Sequence, residues 1–391
     1  MNLTAFVKIA TNLKLLLGLL VILTLIVAIQ QFNIGQTHTW NAIIYKMSFY
    51  HLIHHQELYS SSEYYNGAWI DAYKYSPTFA LLYAPLAILP LLANIMLWNL
   101  LNVIIFFFAV KSLPINDKKK SIIIWLTLLD LIISIQNSQS NVLIAGLIIF
   151  AFTAMERKKL LFATLCIVFS IYIKLFGIAA LLLFFFYPGK IKFILYTIMW
   201  GTIFFLLPLL IVSFNELISI YKSWIILLKQ DETISWGLSI MGILKSWFGL
   251  NNAKALIQMM GLLLLCIPLF ANKIHSNREF RMLYLCSILI WVVTFNHRAE
   301  SPSFIIALSG IAIWFVMQEP KPITTAFALF AIAITSLAHS DLLPQFFRIN
   351  FVDAYAIKGL PSFVLWLIIQ YKLCIMAFKS VGLQAQSSIG E

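Results

Sequence analysis

The sequence predicts an all-α, polytopic transmembrane protein, and three observations carry that expectation. Apolar residues make up 61% of the 391 residues and charged residues only 11%, which is far from the balance of a water-soluble domain. The apolar residues fall in blocks of about 14 to 22, close to the roughly 20 residues an α-helix needs to cross a bilayer. The blocks are solid, as in LKLLLGLLVILTLIVAI and FILYTIMWGTIFFLLPLLIV, whereas a membrane β-barrel alternates lipid-facing and lumen-facing residues along each strand. A helix pairs its own backbone donors and acceptors in hydrocarbon, so solid blocks read as helices. Cys166, Cys266, Cys286 and Cys374 lie inside such blocks without CxxC spacing, which reads as core filling and not as disulfides or a metal site.

Taken in order, residues 12–31 form the first span. Lys8 and Lys14 precede it without a small-residue cleavage site, which marks a retained helix and not a cleaved signal. With the N-terminus inside, the basic runs DKKK, ERKK, PGKIK, NKIHSNREFR and EPKP all fall on the cytoplasmic side, the arrangement the positive-inside rule requires. The net charge of +12 therefore orients the chain and does not point to nucleic acid. Residues 32–76 become a long outer loop with amphipathic helices.

Between that loop and DKKK the chain must cross an odd number of times, yet it holds two apolar blocks, Pro77 to Leu92 and Ile95 to Val110. The first is short for a span and is predicted to be a half-helix or re-entrant element, the second a full span. LLFATLCIVFSIY and LFGIAALLLFFFY should form a tight hairpin turning at Lys174, with both arms short for the hydrocarbon core. About 12 crossings follow in a single integral membrane domain, with spans running to residue 378 and a cytoplasmic tail at 379–391. The unusual polar stretches then all face outward: the first loop, QNSQSN at 136–141, Lys174, the long loop 214–254, NHRAES at 296–301 and the loop 339–359. Ionisable groups at or within a membrane are expensive, so their convergence marks a functional site. Asp130, inside WLTLLDLIIS, reads equally well as a satisfied structural acid.

Three of these stretches carry a resemblance. YKYSPTFALLYAPLAILP after a long first loop, SQSNVLIAGLIIF opening a later span, and ERKKLLFATLCIVFSIYIKLFG with its lone lysine resemble glycosyltransferase family 87, in order from about residue 41 to about 320. The resemblance implies a GT-C-like membrane enzyme. Such an enzyme moves a hexose, usually mannose, from a polyprenyl-phosphate carrier to a lipid-linked or glycan acceptor at the outer face of the plasma membrane. It also implies a carboxylate base in the first outer loop, an Asp followed four residues on by a Tyr. The matching residues here are Asn41 and Tyr45, with Leu58-Tyr59 further along. An amide cannot take the proton, so either another carboxylate serves or the chain is an inactive relative.

Read as chemistry, transfer from a sugar phosphate needs a base, cations or dipoles for the departing phosphate, and a groove for a lipid tail. Asp71, Glu57, Glu63 and Glu300 are the candidate bases. Asp71 sits four residues before Tyr75 at the membrane edge, where partial desolvation would tune it, and Glu57 shares a stretch with Asn41. Lys174 is the leading phosphate ligand, because a lone cation in a buried turn needs an anion; snorkelling to the interface is its rival reading. Lys74, His297 and Arg298 follow. Gln139 and Asn141 offer amides to sugar hydroxyls, although Asn141 also suits a helix N-cap, and Asn41, Tyr45 and Tyr75 complete the sugar and acceptor set. Trp40, Trp69, Trp224, Trp236 and Trp247 fit an interfacial belt or sugar stacking. His51 and His55 have i, i+4 spacing without a third ligand, so no metal or other cofactor is expected. The partners expected are the lipid-linked sugar, the acceptor and membrane lipids. A transporter or flippase is the rival class; its paired broken halves are not evident.

Overall fold

The computed structural model describes residues 10–59, 62–65, 68–338 and 343–387. Lys8 and part of the 339–359 loop lie outside them, as do the side chains of Glu63 and Trp69. The chain is an all-α polytopic membrane protein. Among the described residues, four helices are long and apolar enough to cross a membrane, Leu13–Ile34, Leu91–Ser112, Lys190–Leu210 and Ile357–Lys379, and six shorter apolar helices accompany them.

Helix α1 (Leu13–Ile34) opens where the Asn12 carboxamide accepts from the N–H groups of Lys14 and Leu15, and it ends at Gly35 with φ +95°. An Asn at the N-cap pairs first-turn donors that nothing else reaches, and a positive φ suits glycine. Helix α2 (Gln36–Ile53) follows. The amphipathic outer helices expected here are replaced by this one helix, buried along most of its length, and by an antiparallel strand pair. Strands β1 (Ser62–Tyr65) and β2 (Ala68–Asp71) are the strands among the described residues, with Tyr65 opposite Ala68. The Pro77 block is two short helices, α3 (Pro77–Leu82) and α4 (Ala84–Ala87). Ser76 caps α3 through its hydroxyl, with Pro77 at the first position, a placement where proline loses no hydrogen bond. Helix α5 (Leu91–Ser112) is the span.

Helix α6 (Asp117–Gln136) leads to α7 (Asn141–Glu156) and α8 (Leu160–Ile173), which stops at Lys174. A 3-10 helix covers Leu175–Phe186. After α9 (Lys190–Leu206) the expected long loop is largely helical: α10 (Phe214–Ile234) and α11 (Ile240–Phe248) fill it. Helix α12 (Lys254–Cys266), α13 (Arg278–Thr294), α14 (Phe304–Met317) and α15 (Pro322–Leu337) follow. The last helix, α16 (Leu360–Ser387), runs past residue 378, so part of the expected tail is helix.

The chain forms two compact units. The first comprises residues 1–121, 131–178 and 191–234, the second residues 122–130, 179–190 and 235–391. In the first, α5 packs against α1 and α7. A Cβ on Gly146 of α7 would lie 3.1 Å from the Phe106 backbone, so glycine sets how closely these two helices approach, as small residues do between membrane helices. In the second unit α13 packs on α14 and α16. Asp130 is also resolved there: its carboxylate accepts from Ser336 Oγ at 2.5 Å and lies 3.5 Å from Lys358 Nζ, with both charged side chains fully buried. The structural reading of Asp130 holds. Lys358, which the sequence placed in an outer loop, is its counter-ion and also donates to Ser301 Oγ at 2.7 Å.

Removing one member of a buried pair strands the other. Asp130→Leu should lower stability by about 3–5 kcal/mol, while Asp130→Leu combined with Lys358→Leu should recover most of that loss. Thermal unfolding of the purified variants reads the difference, and equal destabilisation by the single and double changes would refute the pairing.

Candidate functional site

The site in the first unit is built on the turn between α6 and α7. Ser138 sits there at φ +46°, a conformation uncommon for a residue other than glycine. Its neighbours hold it there. Gln31 Nε2 donates to Ser138 Oγ at 2.8 Å, and Trp98 Nε1 donates to the Ser138 carbonyl at 2.8 Å. Asn99 Nδ2 donates to Gln31 Oε1 at 3.3 Å and to the Ile135 carbonyl at 3.0 Å. Asn102 accepts from the Leu143 N–H at 3.1 Å, pairing one of the first-turn donors of α7. Gln31, Trp98, Asn99 and Asn102 are all buried, and in that setting hydrogen bonds fix geometry strongly.

The turn presents Gln139 and Asn141 to Lys174. Lys174 is extended at φ −141°, ψ 141° as the end residue of α8. Its Nζ donates to Gln139 Oε1 at 3.0 Å and Asn141 Oδ1 at 3.1 Å, and lies 5.4 Å from the ring centres of Tyr75 and Phe176. Asn141 is not the helix cap; it is the first residue of α7, and Ser140 precedes it without a side-chain capping bond. Tyr75 OH and Tyr45 OH are 2.6 Å apart. Tyr45 is fully buried among Phe79, Tyr83 and Trp98. Tyr59 OH donates to the Tyr75 carbonyl at 3.0 Å and Tyr73 OH to the Ser76 carbonyl at 2.8 Å. Burial pushes both phenols well above their usual range, so they stay donors at any working pH.

Asn41 donates from Nδ2 to the Asn137 carbonyl at 2.8 Å. A carboxylate at that position would set oxygen against oxygen. The amide is thus part of the scaffold that shapes the turn.

The stretch after β2 lies along α10. Lys74 Nζ is 2.6 Å from Asp71 Oδ2 and 3.6 Å from Asp231 Oδ1. The Lys74 carbonyl accepts from Trp224 Nε1 at 3.1 Å, and Thr78 Oγ1 lies 2.9 Å from Tyr221 OH. Asp71 is 67% exposed and Asp231 15%, so the sheltered edge expected around Asp71 is occupied by Asp231, a carboxylate the sequence reading passed over. Its signal was available: Tyr221, Trp224 and Asp231 recur at spacings of three and seven on one helix, the period of a shared face. Glu57 is exposed and accepts from the Tyr59 N–H at 3.2 Å.

The structure therefore brings together Tyr45, Tyr75, Gln139, Asn141 and Lys174 through direct contacts, with Asn41 bonded to Asn137 in the turn that carries Gln139 and Lys74 and Asp71 just before Tyr75 in the chain. His297, Arg298 and Glu300 belong to the second unit. There the His297 carbonyl accepts from Ser235 Oγ at 2.9 Å, and Arg298 lies 3.9 Å from Glu300. His55, at φ +56° beyond α2, places Nδ1 within 3.0 Å of both Glu216 carboxylate oxygens, and His54 bonds the Tyr50 carbonyl. The i, i+4 histidine spacing is thus not the geometry of a ligand pair.

Fold and site define a helical membrane protein with a lysine held among amides and phenols at the end of a short helix. The chain belongs to glycosyltransferase family 87, whose sequence profile matches residues 73–295, more than half of its length. It is a membrane glycosyltransferase. The matched segment contains Lys74, Tyr75, Gln139, Asn141, Lys174 and Asp231; it is narrower than the resemblance suggested, and Asn41, Tyr45, Glu57, Asp71, His297, Arg298 and Glu300 fall outside it. No curated protein matches the chain.

Asn41→Asp should cost about 1–3 kcal/mol, because it removes a donor from the Asn137 carbonyl and sets a carboxylate there. Thermal unfolding of the purified variant would show it. A variant as stable as the wild type would sink the scaffold role.

Proposed function

We propose that the chain transfers a hexose, mannose by family resemblance, from a polyprenyl-phosphate carrier to a lipid-linked or glycan acceptor at the outer face of the plasma membrane. The observation that carries this reading is Lys174, a half-buried ammonium whose polar partners are the neutral oxygens of Gln139 and Asn141. A cation held by neutral groups keeps its charge for an anionic ligand, and a phosphate diester is one. In the transfer, the acceptor hydroxyl attacks the anomeric carbon and the carbon–oxygen bond to phosphate breaks. The carrier phosphate leaves with the bonding pair, and the hydroxyl proton passes to a carboxylate. Lys174 stabilises the departing phosphate, with Lys74 as a further cation, while Gln139 and Tyr75 meet sugar or acceptor hydroxyls. With Asn41 committed to the Asn137 carbonyl, the base falls to Asp71 or Glu57, or to Asp231 beside Lys74. The scheme needs no metal. Family membership favours it over a transporter or flippase.

Purified protein given polyprenyl-phosphate-[¹⁴C]mannose and membrane lipid should form a labelled product, and Lys174→Met should slow it by at least about 100-fold. Absence of product with this donor would refute the mannosyl reading. Orientation has its own test. On a background lacking the native cysteines, Gln56→Cys should react with an impermeant maleimide on intact cells and Ser276→Cys should not, both side chains being exposed. The reverse pattern would invert the topology.

A further inference from the structure

The N-terminus of α7 holds more donors than the protein uses. Asn141 directs its carboxamide oxygen at Lys174 Nζ, 3.1 Å away. An ammonium has only donors to offer, so the oxygen must be the atom facing it, and the orientation of this amide is fixed. The nitrogen of the same planar group then lies beside the lysine. Asn141 is fully buried, and its Nδ2 has no hydrogen-bond partner. Ser140 is also fully buried and its Oγ is likewise unpaired. It stands at the N-cap of a 16-residue helix, where a serine hydroxyl ordinarily pairs a first-turn N–H, yet it makes no capping bond.

Buried polar atoms are nearly always paired; Asn99 Oδ1 and Ser134 Oγ are unpaired as well, but Ser140 and Asn141 are consecutive residues at a helix start, and Asn141 is bonded to a lysine. Their surroundings share one sign. Lys174 brings a full positive charge and the start of α7 the positive end of a helix dipole. A neutral sugar hydroxyl would leave that field unanswered, whereas an oxyanion answers all of it.

We infer that Ser140, Asn141, Lys174 and the first turn of α7 form a phosphate-oxyanion site, in which Asn141 Nδ2 and Ser140 Oγ donate to ligand oxygens and Lys174 supplies the opposing charge. The inference rests on the transferase reading and sharpens it: Asn141 serves the phosphate and not the sugar, and Ser140 joins the site. The ligand chemistry is that of a phosphate monoester or diester, carried on a lipid or free.

The decisive variant is Asn141→Asp. It keeps an acceptor for Lys174, and so the local fold, but replaces the Nδ2 donor by a carboxylate oxygen that repels an oxyanion. Citronellyl phosphate, a short prenyl phosphate, should bind the wild-type chain in nanodiscs saturably, read as a rise in its unfolding temperature. Its affinity should fall at least about 30-fold in Asn141→Asp and about 10- to 150-fold in Ser140→Ala, the loss expected for one hydrogen bond to a charged group. Citronellol, the same tail without phosphate, should not bind. Inorganic phosphate that competes at similar concentration would assign the site to free phosphate, and failure to compete would assign it to the lipid-borne group. Equal affinity of the wild type and Asn141→Asp overturns the inference, as does citronellol binding as well as its phosphate. Should Asn141→Asp not fold, unchanged affinity in Ser140→Ala overturns it instead. A chain that binds the phosphate through Asn141 but transfers no sugar would sink the transferase reading alone. Sugar transfer by the wild type with undiminished binding by Asn141→Asp would sink this inference alone.

Discussion

A backbone turn cannot sit in an apolar interior unless its polar groups are paired, and the Asn137–Ser140 turn depends on that requirement being met from elsewhere in the chain. Gln31 comes from α1, Asn41 from α2, and Trp98, Asn99 and Asn102 from α5. An unpaired amide or carbonyl in such a place costs several kcal/mol by transfer estimates, roughly 2–7. These side chains therefore decide whether the turn forms, and with it where Gln139 and Asn141 stand. Lys174 then has two oxygens at hydrogen-bond distance because three other helices have shaped the turn that carries them.

The same rule explains the second unit in a different way. Asp130 and Lys358 are both fully buried and lie 3.5 Å apart, each making the other tolerable. Lys358 also holds the Ser301 hydroxyl, so within the second unit the pair ties residues 122–130 to the segment that carries His297, Arg298 and Glu300. A buried ion pair contributes little net stability against an apolar replacement. Its value here is positional.

Function follows from an imbalance that these networks leave in place. In the first unit the scaffold side chains Gln31, Asn41, Trp98 and Asn102 each pair a backbone or side-chain group of the turn or of the helix that follows it, whereas at Lys174, among the described residues, the charge meets neutral oxygens and aromatic faces. Lys74, one residue from Tyr75, has the opposite character, with a carboxylate on either side. In the proposed reading the first lysine is held for an anion from outside the protein, while the second orders two carboxylates, one exposed and one sheltered. A glycosyl transfer from a lipid phosphate uses both kinds of group, a cation for the leaving phosphate and a carboxylate for the incoming hydroxyl.

The sequence by itself determined the class of the protein. Solid apolar blocks leave few choices of secondary structure in a membrane, and an apolar segment too short to cross, Pro77 to Leu92, announces a broken element before any coordinates exist. Lys174, Gln139, Asn141 and Tyr75 were legible as well, because polar residues at the ends of apolar blocks are conspicuous. Less legible were the helical state of residues 214–254, where charges interrupt an amphipathic pattern, and the counter-ion of Asp130, which lies 228 residues away in the chain. Only the tertiary structure decided which polar groups answer one another. Asn41 became a donor to a carbonyl and not a stand-in for a base, Asp231 became the sheltered carboxylate, and the Asn141 amide was left half used. Each of those outcomes depends on distances between helices remote in sequence, and a linear pattern carries no record of them.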